Sequence, residues 1–127
     1  MIFGVGTDIV DIERIKRSME RHGDKFAERI LASAELEIYQ ATKNKINYLA
    51  KRFAAKEAVS KALGTGMRNG IDFVQLVITN DDIGKPAVTL EGKAQAWSKQ
   101  NKITKIHLSI SDEKSHAMAF AIAESHP

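Results

Sequence analysis

A chain of 127 residues, 43% hydrophobic and 28% charged, has the size and balance of one folded domain, which excludes disordered and fibrous classes. It has no cysteine, so disulfides, thiolate nucleophiles and cysteine-held zinc are excluded, and any metal must sit on oxygen or imidazole. A formal net charge of +3 favours an acidic partner but falls well short of a nucleic-acid-binding composition. No apolar run approaches the roughly 18 residues of a membrane span, and the opening MIFGVGTDIV lacks a basic leader and a cleavage site. A cytosolic chain with neither nucleic acid nor membrane as partner is expected.

MIFGVGTDIV alternates as a strand does, with Phe3, Val5, Thr7 and Ile9 on one face and Ile2, Gly4, Gly6, Asp8 and Val10 on the other. The second face is stripped of bulk just before Asp8. Asp11 is placed to cap a helix from about Ile12 to Arg21, closed by His22 and Gly23. On it Ile12, Ile15 and Met19 share one stripe, while Arg14, Arg17 and Arg21 share another on nearly the opposite side. From Phe26 to about Thr42 the pattern is helical but broken, with Ser33 expected as the cap before AELEIYQAT. A long helix is predicted from roughly Ile46 to Leu63, ending at Gly64 and Gly66. FVQLVIT, NDDIGKP and AVTL read as a hairpin bent at Gly84 and Pro86. EGKAQAWSKQN reads as a short amphipathic helix, and KIHLSIS, DEKS and HAMAFAIA as a second hairpin. The expected class is α+β, one small domain over residues 1–127: an N-terminal strand, helices including a long buried one, then antiparallel strands.

The stretch RFAAKEAVSKALGTG, residues 52–66, carries the chemistry. Leu49, Phe53 and Leu63 share a helical face with Lys56 and Ser60 in its middle, and Ala54, Ala58 and Ala62 form the other side. Charges inside such a stripe must be matched by something. Arg52 and Lys56, at i and i+4, repel by a few tenths of a kcal/mol and look placed for an anion. Glu57 and Lys61 stand in the favourable i, i+4 order and read equally as a simple intrahelical ion pair. Gly64, Thr65 and Gly66 either merely end the helix or let backbone amides approach a phosphate. Asp8, a carboxylate in an apolar strand, reads also as a cap or turn residue, although Asp11 fills that role better. A dinucleotide fingerprint fails because its third glycine position is Ile9.

Together these pieces resemble the holo-acyl-carrier-protein synthase family, the small 4′-phosphopantetheinyl transferases of bacterial fatty acid synthesis. Four blocks carry the resemblance along the whole chain, in the family's order: GVGTDIVDIERI, RFAAKEAVSKALGTGMRNGI, NDDIGKPAVTL and HLSISDEKSHAMAFAI. It implies that Asp8 and Glu57 hold a magnesium ion with the pyrophosphate oxygens of coenzyme A, the ligand set that ion prefers. Arg52, Lys56 and Lys61 would meet phosphates, with Gly64, Thr65 and Gly66 beside them. The implied reaction is attack by a serine hydroxyl of apo acyl carrier protein on the phosphorus bearing the pantetheine arm, releasing adenosine 3′,5′-bisphosphate. Asp8, Glu57 and Lys61 form the implied catalytic group, because phosphoryl transfer needs mainly positioning and charge neutralisation. Glu57 is the candidate base, acting directly or through a metal-bound water.

Family position also puts His107, otherwise a structural strand histidine, at the adenosine end of coenzyme A, with Lys85 and Pro86 of the GKP turn. Arg14 falls within the first matched block and is implied to dock the acidic carrier protein; Arg17 and Arg21 follow by helical spacing. On pattern alone the three are a solvated face laced by Glu13 to Arg17 pairing. Such docking contacts act largely on encounter rate and are salt-sensitive. The chain departs from the family at His116, where many members carry Tyr, and at Asp112, where some carry His. The resemblance also implies a homotrimer with interfacial active sites, which would let Lys56 face another subunit. The rival reading is a non-enzymatic basic module binding acidic protein or RNA through its arginine stripe. Against it, aromatic content is only 6% and no aromatics interleave the arginines.

Overall fold

In the computed structural model, which describes residues 1–127, strand β1 (Ile2–Asp11) runs directly into helix α1 (Ile12–His22). Asp11 makes the handover, its side chain accepting the Glu13 N–H at 2.9 Å as an N-cap. Gly23, at φ 61°, closes the helix. The broken helical pattern resolves into α2 (Asp24–Ile30) and α3 (Ser33–Ala41). Ser33 does not cap α3. Ala32 holds the N-cap position, and its N–H donates to the Glu35 carboxylate at 2.7 Å, half of a capping box.

Helix α4 (Lys45–Ala62) starts where Asn44 accepts the Asn47 N–H and stops where Gly64 and Gly66 take φ of 86° and 60°. Glycine adopts such angles at no steric cost. Phe73–Gln75 form one 3-10 turn rather than the start of a strand. The first hairpin is therefore β2 (Leu76–Asn80) and β3 (Pro86–Leu90), in register from Leu76 opposite Leu90 to Asn80 opposite Pro86. Helix α5 (Gly92–Gln100) leads to β4 (Ile103–Asp112) and β5 (His116–Ser125). The main sheet is antiparallel in the order β1-β5-β4, and the α+β class read from the sequence is the one observed.

The two faces of this sheet differ in a way that fixes everything else. Gly4, Gly6, Asp8 and Val10 of β1 share the inner face with Ala117, Ala119, Ala121 and Ala123 of β5, and α4 packs across them. A Cβ on Gly6 would overlap the carbonyl oxygen of Ala58, and one on Gly4 that of Ala62. The missing side chains of β1 thus admit the backbone of α4. The bulky residues of the same strands point outward: Val5 is 55% exposed, Ile9 64%, Met118 45% and Phe120 46%. In rows across the sheet, Val5 lines up with Ile122 and His107, Thr7 with Phe120 and Ser109, and Ile9 with Met118 and Ser111.

On its far side α4 is covered by Ile15 of α1, Ala27 and Ile30 of α2, Tyr39 of α3, and Leu76 and Ile78 of β2, all buried in one apolar cluster. Helix α4 is therefore covered on both sides, as its nearly all-round apolar sequence requires. No helix is long and apolar enough to cross a membrane.

Candidate functional site

Close packing of β1 on α4 brings Asp8, Glu57 and Lys61 together. The Lys61 ammonium donates to the Thr7 carbonyl at 2.9 Å and lies 3.3 Å from Asp8 Oδ1. It turns to the strand instead of forming the simple intrahelical pair with Glu57. Asp8 is mid-strand opposite Ala119, neither cap nor turn residue. Burial pushes the Glu57 carboxyl above its ordinary pKa, and the Asp8 carboxylate pushes it the same way; Lys61 and Arg14 pull it back. A carboxyl whose ionised form is disfavoured by burial and by a neighbouring carboxylate, in a half-buried place, forms a ready seat for a cation. No group of three or more His, Asp or Glu side chains in the chain is arranged to hold a metal ion by itself. Asp8 and Glu57 fit an ion that takes one or two carboxylates and completes its shell with water and phosphate oxygens, as magnesium does.

The loop after α4 borders this group. Gly64 N–H donates to the Lys61 carbonyl and Gly66 N–H to the Ser60 carbonyl, both at 3.0 Å. These two amides end the helix, the first of the two readings the sequence left open. Nothing lies within 4 Å of the position a Gly66 Cβ would take, so what the glycine leaves there is room. Thr65 is buried, its hydroxyl donating to the Gly66 carbonyl. Trp97 of α5 fixes the end of the helix from outside, its indole N–H donating to the Leu63 carbonyl at 2.9 Å.

Lys56 is not a phosphate ligand. It is fully buried, and its ammonium donates to the Ile30 carbonyl at 2.7 Å, the Glu35 carboxylate at 2.5 Å and the Phe73 carbonyl at 3.0 Å. The anion for which it looked placed is a carboxylate of its own chain, and no second subunit is needed to explain its place in the apolar stripe. Burial lowers its pKa, and Glu35 opposes that shift.

Arg52 is also buried. One guanidinium nitrogen donates to Asn80 at 2.8 Å, the group lies 4.8 Å from the Tyr48 ring centroid, and its Nε has no partner. Asn80 pairs with Pro86 and donates to the Gly84 carbonyl, so Arg52 belongs to the turn that carries exposed Lys85 and half-buried Pro86. His107 lies on the outer sheet face, hydrogen-bonded to Glu124 at 2.9 Å, whereas Asp8 lies on the inner face. The sequence-predicted residues thus fall into three groups within one chain: Asp8, Glu57 and Lys61 with the glycine loop; Arg52, Lys85 and Pro86; and His107 alone.

Arg14, Arg17 and Arg21 are exposed along α1, and no ion pair joins Glu13 to Arg17. The Arg14 guanidinium sits 5.7 Å from the Phe53 ring centroid, and Phe53 stacks on Phe73 at 5.4 Å. Beside them opens a groove of about 480 Å³ lined mainly by Phe26, Ile30, Phe53, Phe73 and Val74. The two departures lie elsewhere: His116 contacts Ser115, and Asp112 accepts from Asn47 at the start of α4.

Sequence reading missed Glu35, Trp97 and this groove. Glu35 and Lys56 had a signal, two opposite charges each set among apolar residues, but their partnership spans 21 residues and is purely tertiary. Trp97 had none beyond being the only tryptophan.

A family model described as the 4′-phosphopantetheinyl transferase superfamily matches residues 4–121. A protein of Aliivibrio salmonicida (strain LFI1238) named holo-(acyl-carrier-protein) synthase is 56% identical over 124 residues, 98% of each chain. The crystal structure of the synthase of that name from Neisseria meningitidis superposes with a TM-score of 0.94 at 43% identity, over 98% of this chain and 100% of that one. Another, from Bacillus anthracis str. Ames and in complex with CoA (3′,5′-ADP), gives 0.83 at 38% identity over 99% of both chains.

Proposed function

The chain belongs to the 4′-phosphopantetheinyl transferase superfamily, and on that premise we propose that it moves the 4′-phosphopantetheine arm of coenzyme A onto a serine of apo acyl carrier protein. The observation that carries the reading is the convergence of Asp8, from the first matched block, with Glu57 and Lys61 of the second. The non-enzymatic basic module is set aside, because the full-length likeness is to proteins named as synthases.

In the reaction the serine oxygen forms a bond to the phosphorus that carries pantetheine, and the bond to adenosine 3′,5′-bisphosphate breaks. Asp8 and Glu57 would hold magnesium, which when bound neutralises charge on the pyrophosphate. Lys61, anchored by the Thr7 carbonyl and half exposed, presents a fixed positive charge to the same phosphates. Glu57 is the candidate to take the serine proton, directly or through a water. The open space beside Gly66 lets the substrate backbone pass close to the end of α4.

Arg52, Lys85, Pro86 and His107 contact the remainder of coenzyme A in this reading, and their separation within one chain supports an active site shared between copies. The outward apolar row of Val5, Ile9, Met118 and Phe120 is the surface such an assembly would cover. A homotrimer with interfacial sites, working in the cytoplasm on fatty acid synthesis, is the proposed setting. Arg14, Arg17 and Arg21 receive the acidic carrier, with the apolar groove below Arg14 as a complement to its charge.

Incubation with coenzyme A, magnesium and apo carrier protein tests this, followed by intact mass of the carrier. A gain of one phosphopantetheine arm is expected; an unmodified carrier would sink the reading.

A further inference from the structure

Lys56 and Glu35 touch no reacting group, yet they tie five segments together. Lys56 holds the Ile30 carbonyl at the end of α2 and the Phe73 carbonyl of the 3-10 turn. Glu35 accepts from Lys56, from the Ala32 N–H and, through its other oxygen, from the Ile78 N–H of β2 at 2.8 Å. Both side chains have no exposed surface.

A buried ion pair is often replaceable by apolar residues without loss of stability. Here that exchange would strand the Ile30 carbonyl and the Ala32 and Ile78 N–H groups in the interior, a penalty apolar packing does not offset, and would leave the Phe73 carbonyl with only the Leu76 N–H. The pair therefore fixes where these segments meet. Two of them, at Ile30 and Phe73, line the apolar groove, and both are anchored on the one ammonium. Phe73 in turn supports Phe53, and Phe53 lies under Arg14. The Asp8–Glu57 group is set separately, by the contact of β1 with α4 on the other side of the helix.

We propose that Lys56 and Glu35 are positioning residues for the protein substrate: they hold the groove beside α1 in shape for the carrier protein, and so set its Michaelis constant but not that of coenzyme A. This rests on the transferase reading above.

Glu35→Gln keeps the shape but places an amide N–H₂ among the Lys56, Ala32 and Ile78 donors. Its KM for apo carrier protein should rise about tenfold, with kcat and the KM for coenzyme A within about twofold of wild type. Loss confined to kcat, as a partly unfolded population gives, or equal rises in both KM values would overturn the proposal. Phe73→Leu cuts the same relay further along and leaves the ion pair intact. It should raise the same constant, and the double variant should be little worse than either single one. Additive effects overturn the proposal, and so does an unchanged KM for the carrier in Phe73→Leu, which decides the matter alone if Glu35→Gln fails to fold. Wild-type protein is the control. If it transfers no arm, the transferase reading fails and takes this proposal with it; if it transfers normally while both variants keep its constants, only the proposal fails.

Discussion

Gly6→Ala is the perturbation whose sign is hardest to obtain by accident. Gly6 is absent from the positive-φ residues, so alanine can adopt its backbone conformation. With open space beside it, the substitution would stabilise the protein by about 0.4–1 kcal/mol, because alanine restricts the unfolded chain. The space is not open. The added Cβ overlaps the Ala58 carbonyl oxygen and comes within 2.8 Å of the Ala62 nitrogen and 2.9 Å of Lys61 Cβ. Two of these are backbone atoms of α4 that no rotamer change can move, so the helix must retreat. Overpacking of this kind costs about 1–3 kcal/mol, sometimes more, which outweighs the gain. Net of that gain, and at roughly 4 °C per kcal/mol for a chain of this size, the Tm should fall by up to about 10 °C. Retreat of α4 also draws Glu57 and Lys61 away from Asp8, and a displacement of about 1 Å at such a site costs on the order of a hundredfold in turnover. Thermal melts followed by circular dichroism, with carrier mass as the activity assay, read both effects. A variant as stable as wild type, with unchanged kcat, would refute the close packing on which the site depends.

Other expectations follow from the same geometry. The folded-state pKa of Glu57 is raised, so its favourable contribution to stability is present below its ordinary value of 4.5 and is lost as pH rises through the raised value. Glu57→Gln should therefore have a higher Tm than wild type at pH 7 and lose that advantage as pH falls toward 4; a constant difference would argue against burial and the Asp8 carboxylate disfavouring its ionised form. Arg14→Glu should mainly raise the KM for the carrier protein, by a factor that shrinks in high salt, and an unchanged value would return the α1 stripe to plain solvated surface. Trp97→Phe removes the donor to the Leu63 carbonyl and should cost about 1–3 kcal/mol in a denaturant melt; a cost near zero would show that the indole N–H does not hold the end of α4.

The parts of this protein legible in the sequence are those whose causes are local. Asp11 as a cap, Gly23 and Gly64 as stops, and the strict alternation of the last hairpin depend on neighbours along the chain, and all appear as read. The face of β1 that packs inward is a different matter. Its apolar set, Phe3, Val5 and Ile9, is the outer one, because α4 demands the glycines and supplies its own backbone as filling. Lys56 was misread for a related reason: a helical wheel places a charge on a face without saying what stands opposite, and Glu35 arrives there only through the fold. Likewise, family blocks name Arg52, Lys85 and His107 without revealing that one chain keeps them apart from Asp8.

Dependence of the transfer on a divalent cation is the most direct test of the central claim that Asp8 and Glu57 together seat one. Protein stripped with a chelator should leave apo carrier unmodified in the presence of coenzyme A and regain its rate on addition of magnesium, while Asp8→Ala and Glu57→Ala, though folded, should remain near-inactive at any magnesium concentration. Full transfer by stripped wild-type protein, or by either variant, would contradict it.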